Sequence, residues 1–163
     1  MPFVMFNEYF PETGAQETRN LIILEESKGL PADTYTLFEM YCNEPGCDCR
    51  RVLFYVVSSS RNKMVGVVGW GWEDAEFYKR WMKDDDPEII RGLMGPALNP
   101  GSPQSDLGPA VVELIKDIAL QDEEYVERIK NHYRMFREKI DGKKPPSHKG
   151  KKKRLKKKKW KPV

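Results

Sequence analysis

The chain has 163 residues, of which 28 are Lys or Arg, 25 are Asp or Glu and three are Cys. This length is sufficient for one domain with a hydrophobic core, and a content of 39% hydrophobic and 11% aromatic residues excludes a wholly disordered chain. No apolar run is long enough to span a bilayer and the N-terminus lacks the pattern of a secretory signal, so we expect a cytoplasmic protein.

The charges are divided unequally along the chain. Residues 143–163 contain 12 Lys or Arg and no acid, which leaves 16 basic and 25 acidic side chains in residues 1–142 and a net charge of −9 there. Dense like charge and two consecutive prolines exclude a packed core in the last segment. We therefore predict an acidic domain over residues 1–142 and a mobile, lysine-rich basic tail over residues 143–163.

Hydrophobic patterning predicts strands in the first half of the acidic domain. The predicted strands cover residues 20–26, 35–42, 51–59 and 64–72. Glycines at positions 66, 69 and 71 are poor strand residues, so a bulge, an edge or a closely packed neighbour is expected there. A short helix is predicted over residues 74–83, and the Pro- and Gly-containing stretch 99–108 is predicted to be a loop.

Two further helices are predicted to complete the domain. The first runs from Pro109 to about Leu120, with proline in the first turn, where its missing N–H is tolerated. Asp122 caps the second, in which apolar residues recur at steps of three and four up to Ile140, and Gly142 ends it. Strands followed by helices predict an α+β fold, with a small antiparallel sheet packed by the C-terminal helices.

All three cysteines lie close together, in the sequence Cys42-Asn-Glu-Pro-Gly-Cys47-Asp-Cys49. In a reducing compartment, clustered thiols more often bind metal than form a disulfide. Pro45-Gly46 predicts a tight turn at a hairpin tip, and Cys47 and Cys49 share one face of an extended segment. Because Zn²⁺ prefers tetrahedral sulfur and nitrogen ligands, we predict a cysteine knuckle that binds Zn²⁺.

The fourth zinc ligand has three candidates. We predict His132, because its position on the flank of the last helix directs it toward the edge of the core. A carboxylate at the start of the helix after the hairpin, Glu73 or Asp74, is the second candidate. Water in an open position is the third, and only that arrangement invites catalysis.

Three segments carry a resemblance to a known family. Tyr41–Val52, with its Cys-x4-Cys-x-Cys-Arg spacing, resembles the signature of an uncharacterised family of small prokaryotic proteins, as do Asn99–Ser105 and His132–Phe136. The resemblance extends over roughly residues 20–140 and implies a stable zinc-type fold without implying a reaction. A fainter similarity to the SEC-C zinc motif is limited to the Cys-x-Cys, because the terminal cysteine pair of that motif is lacking.

The basic tail predicts binding to a polyanion. Its 12 cations would release counterions from a phosphate backbone, and Trp160 can stack on an unpaired base. We therefore predict a non-catalytic zinc-binding protein whose tail binds nucleic acid, with RNA as the expected form. The residues expected to contact it are Lys151, Lys152, Lys153, Arg154, Lys156, Lys157, Lys158, Lys159, Trp160 and Lys161.

Two alternatives stay open at this level. The chain lacks a phosphate-binding loop and a nucleophile elbow, yet an open zinc position would make it a small metalloenzyme. Alternatively, the chain is an adaptor whose polybasic tail attaches to an anionic surface such as a membrane.

Overall fold

The computed structural model describes residues 2–142. Its strands are β1 (Phe3–Met5), β2 (Arg19–Ile23), β3 (Asp33–Cys42), β4 (Arg51–Ser58), β5 (Lys63–Gly71) and β6 (Ala97–Leu98). Its helices are α1 (Phe6–Tyr9), α2 (Pro11–Glu17), α3 (Ala75–Met82), α4 (Pro87–Met94), α5 (Gly108–Asp117) and α6 (Glu123–Asp141), and a 3₁₀ turn (Ala119–Gln121) precedes α6.

The strands form one antiparallel sheet in the order β1-β3-β4-β5-β6. Strand β2 also pairs with β3, so that β1 and β2 occupy the two ends of the same edge of β3. Each neighbouring pair in this order is antiparallel, and short connections join β3 to β4 and β4 to β5. The predicted α+β fold with an antiparallel sheet is confirmed.

Helices α5 and α6 cover one face of the sheet. Alternate residues of β3 and β4 point to this face and are buried, as the two-residue period of a strand requires. Phe54 packs against Tyr125 of α6, and the Tyr41 hydroxyl oxygen lies 3.2 Å from the carbonyl oxygen of Ile129. The core therefore lies between the sheet and the two C-terminal helices.

Helix α4 packs on the opposite face, beside β5. The buried Arg51 side chain donates from Nε to the carbonyl oxygen of Leu93 at 2.9 Å, which joins β4 to this helix. A Cβ on Gly71 would lie 2.9 Å from that same carbonyl oxygen and closer still to the Tyr78 hydroxyl. The register also shifts between Val56 and Val57, opposite Gly66, so the expected bulge and close neighbour are both present.

The predicted elements differ from the structure mainly at their ends. The four predicted strands are present with bounds that differ by a few residues, and α6 begins after Asp122 and ends at Gly142 as expected. The helix expected to reach Leu120 ends at Asp117 and is followed by the 3₁₀ turn. Strands β1 and β6 and helices α1, α2 and α4 were not predicted, and the basic tail lies outside the described residues.

Candidate metal centre and adjoining cleft

The three cysteines lie where β3 passes into β4. Cys42 is the last residue of β3, and Cys47 and Cys49 lie in the connection that leads to β4. We call residues 42–49 the cysteine loop. Gly46 has a φ of +77°, which only glycine adopts readily, and Cys47 donates from its backbone N–H to the carbonyl oxygen of Glu44 at 3.2 Å. This turn brings Cys47 back toward Cys42.

The three thiols influence one another's ionisation. Interaction with Cys42 and Cys47, together with burial, raises the pKa of the Cys49 thiol. Interaction with Cys49 lowers the pKa of Cys42 to about 6 although burial opposes the change, and the Glu44 N–H assists at 3.5 Å from the Cys42 sulfur. The pKa of Cys47 is also lowered, again chiefly by Cys49. Cys42 and Cys47 are therefore shifted toward thiolate, which is the form of cysteine that binds metals, whereas Cys49 is shifted toward the neutral thiol.

Helix α6 holds the cysteine loop in place. Arg137, which is 6% exposed, donates to the carbonyl oxygens of Cys42 at 2.7 Å and Glu44 at 2.9 Å. Its guanidinium also pairs with Asp141, one turn further along α6, at 3.0 Å. Asp141 in turn accepts a hydrogen bond from the Gly46 N–H at 2.8 Å. The loop backbone is thus fixed by the end of a helix that is itself packed in the core.

The connection after Cys49 is fixed by two tyrosines. Arg50 has a φ of +52° and donates from its N–H to the Tyr133 hydroxyl at 3.0 Å. Its carbonyl oxygen accepts from the Tyr78 hydroxyl at 2.9 Å. Because Tyr133 lies on α6 and Tyr78 on α3, two helices determine where β4 begins relative to the thiols.

The structure does not place His132 with the cysteines. Its Nδ1 lies 2.8 Å from Glu39 Oε1 and its Nε2 lies 2.7 Å from Glu17 Oε1, and its ring stacks on Phe6 at 4.1 Å between centroids. Both ring nitrogens are therefore engaged by carboxylates, and no nitrogen is left to bind an ion. The expectation that His132 completes the zinc site does not agree with this geometry.

The carboxylate candidates for the fourth ligand are also engaged elsewhere. Glu73 accepts from Arg50 at 3.2 Å, and Asp74 caps α3 by accepting from the Phe77 N–H at 2.9 Å. Within residues 2–142, no group of three or more His, Cys, Asp or Glu side chains is arranged to hold a metal ion. The described residues therefore show no assembled set of metal ligands around the cysteines.

A cleft of about 580 Å³ adjoins the cysteine loop. Cys47, Trp72 and Tyr133 are among the residues that line it, together with neighbours of Tyr133 on α6. Cys47 is half-buried whereas Cys42 and Cys49 are buried, so the cleft is the route by which a small molecule reaches the cluster.

Several residues that shape this region were not identified from the sequence. Arg137 and Asp141 have the i,i+4 spacing of a helical ion pair, so their pairing could have been predicted from the sequence. Their contacts with the cysteine loop could not, because no sequence pattern indicates them. Glu17 and Glu39 carried no signal, because they lie 115 and 93 residues from His132 in sequence. The predicted nucleic-acid contacts from Lys151 to Lys161 lie outside the described residues.

Comparison of the chain with family models, with curated proteins and with solved structures gave no match. The resemblance to a family of small prokaryotic proteins therefore stays a prediction. In the portion of the chain that the structure covers, no helix has the length and apolar character required to cross a membrane.

Proposed function

We propose that this chain is a non-catalytic zinc-binding protein in which Cys42, Cys47 and Cys49 hold one Zn²⁺ and the basic tail binds RNA. The observation that supports the metal assignment is the placement of three cysteines, whose thiols influence one another's pKa, in one short loop that α6 fastens. Zinc would displace the thiol protons, and a pKa of Cys42 of about 6 lowers the cost of that exchange at neutral pH.

The fourth position of the proposed site is assigned to water. His132, Glu73 and Asp74 are each engaged by other groups, whereas the half-buried Cys47 faces the cleft. Zinc sites with three protein ligands commonly complete their tetrahedron with water.

Elemental analysis of the full chain, purified without chelator, tests the metal assignment. We expect about one zinc per chain, and loss of that zinc when Cys47 or Cys49 is replaced by serine. Asn43→Ser in the same loop is the matched control and should retain the metal. Background zinc in the unsubstituted protein would show that the thiols are structural only.

RNA binding by the full chain tests the role of the basic tail. Replacing the lysines and arginine at positions 151–154 and 156–159 with glutamine should remove most of the affinity for single-stranded RNA, because the phosphate contacts supply it. Arginine at the same positions keeps the charge and should keep the affinity. Equal affinity in the glutamine variant would contradict the proposal, and preferential sedimentation with anionic vesicles in the presence of RNA would favour surface attachment instead.

A small metalloenzyme is the second candidate, and the position of Cys47 on an open cleft favours it. Substitution of cobalt for zinc tests whether the fourth position is open, because the visible spectrum of a thiolate-bound cobalt ion changes when a small anion enters an open position. An unchanged spectrum on addition of cyanide would exclude both the metalloenzyme and the water in the fourth position.

A further inference from the structure

The cleft beside the cysteine loop combines positive charge with an aromatic surface. Four cations line it: Arg50, Lys130, Arg134 and Arg137. Three carboxylates also line the cleft, and each is paired with a cation. Asp48 and Glu73 pair with Arg50, and Asp141 pairs with Arg137. Lys130 and Arg134 are therefore the two cations available to a ligand.

Lys130 and Arg134 are one helical turn apart on α6 and face the cleft together. The carboxylate nearest to Lys130 is Glu127 at 3.6 Å, and this carboxylate is 73% exposed, so the pair is weak. Arg134 donates to the amide oxygen of Asn131 at 2.9 Å and belongs to no ion pair in the described part of the chain. Two adjacent cations without strong partners suit a phosphate group.

Trp72 supplies the aromatic surface of the same cleft. Its indole is half-buried and is supported by Tyr133, whose ring meets it edge-on with the centroids 5.0 Å apart. A supported indole beside two cations offers what a nucleotide requires, a planar surface for the base and positive charge for the phosphate. A cleft of about 580 Å³ also lies within the range of small-ligand sites.

The location of the cleft connects it to the basic tail. Asp141, the last residue of α6, lines the cleft, and the first lysine of the tail is Lys143. The basic tail therefore follows in sequence directly after a residue that lines the cleft. We infer that the cleft binds one nucleotide of a single-stranded RNA, with its base against Trp72 and its phosphate on Lys130 and Arg134; this inference rests on the proposed function of the tail.

Affinity measurements on the full chain test the inference. The probe is a labelled oligouridine about 12 nucleotides long, followed by fluorescence anisotropy at fixed salt. The double variant Lys130→Gln/Arg134→Gln should raise Kd at least about fivefold more than the control Arg80→Gln/Arg91→Gln. The control removes the same charge from exposed positions on α3 and α4.

A crosslinking experiment identifies the contact on Trp72. Oligouridine that contains 5-bromouridine should crosslink to the peptide that carries Trp72, and Lys130→Gln/Arg134→Gln should reduce this product while crosslinks to the tail persist. If the two double variants bind equally and no product forms at Trp72, the cleft has no part in RNA binding and the role of the tail stands. If the unsubstituted chain does not bind the oligouridine, both the proposed function and this inference are wrong.

Discussion

His132 is held between two carboxylates that differ in their exposure to solvent. Glu39 is 4% exposed and also accepts hydrogen bonds from the hydroxyls of Tyr41 at 2.6 Å and Tyr125 at 3.4 Å, whereas the Glu17 side chain is 42% exposed. Burial alone would lower the pKa of His132, but hydrogen bonds and charge from Glu39 and Glu17 outweigh it and raise the pKa above 6.5. Because carboxylate oxygens accept, both ring nitrogens donate only when the imidazole is protonated.

The raised pKa of His132 predicts that the stability of the fold depends on pH. The folded state binds the proton more tightly than the unfolded chain, so the stabilisation is complete below the ordinary histidine pKa of 6.5 and is lost as the pH rises through the folded value. Glu17→Gln should lower the free energy of unfolding by about 1 kcal/mol at low pH, since solvent weakens this exposed pair, and should reduce the pH dependence. Urea unfolding between about pH 5 and pH 8 measures both effects.

Glu12→Gln on the same helix is the matched control for this prediction. Glu12 is exposed, and its substitution should leave both the free energy of unfolding and its pH dependence unchanged. The pKa of His132, followed by NMR, should fall in Glu17→Gln and not in Glu12→Gln. If the free energy of unfolding depends on pH in the same way in both variants, Glu17 is not the source of that dependence.

At the scale of elements, α6 connects the parts of the candidate site. It contributes Tyr133 to the start of β4, Arg137 and Asp141 to the cysteine loop, and His132 to the glutamates of α2 and β3. One helix therefore sets the position of the loop relative to the core.

This role of α6 predicts that Arg137→Ala is strongly destabilising. The substitution leaves the carbonyl oxygens of Cys42 and Glu44 and the Asp141 carboxylate without their shared donor, and loss of one partner in a buried ionic network costs about 3 kcal/mol. The midpoint of urea unfolding measures the loss. Arg134→Ala, one turn earlier and exposed, is the control and should change stability by less than about 0.5 kcal/mol. Equal effects would mean that Arg137 does not fasten the loop.

The packing of α3 and α4 on β5 gives a second prediction at this scale. Gly71→Ala places a methyl group against the Tyr78 hydroxyl and the Leu93 carbonyl oxygen, so it should destabilise the fold by about 2 kcal/mol. Gly92→Ala in α4 meets no atom within 4 Å and should stabilise by up to about 1 kcal/mol, because alanine favours a helix. Thermal unfolding of both variants measures these changes in stability. A neutral Gly71→Ala would contradict the close approach of α3 and α4 to the strand.

The sequence was sufficient to predict elements whose signals are local. Helix α6 has a long apolar period with a cap at Asp122, and β4 is a continuous apolar run. Helix α4 was missed because it is short and follows three aspartates that are typical of a turn, although Asp86 caps it at 2.9 Å from the Glu88 N–H. The clustering of the cysteines was visible in their spacing, whereas the surroundings of His132 depend on tertiary contacts that no local pattern encodes.

At the scale of the whole molecule, the charge is segregated. Residues 1–142 have a net charge of −9 and the basic tail has +12, so a polyanion is repelled by the net charge of the domain and attracted by that of the tail. The cleft cations Lys130 and Arg134 share the cleft with Asp141, the last residue of α6. Under the proposed function, segregation of this kind would confine an RNA strand to the tail and the cleft.

The salt dependence of RNA binding measures how many cations take part. If all 12 cations of the tail contacted phosphates of a single strand, log K would fall against log salt with a slope of about −8. Replacing Lys156, Lys157, Lys158 and Lys159 with glutamine should reduce the steepness by about 3, because each contact contributes about 0.7. Arginine at the same positions should preserve the slope. A slope that glutamine leaves unchanged would place the phosphate contacts on the other eight cations of the tail or on the domain.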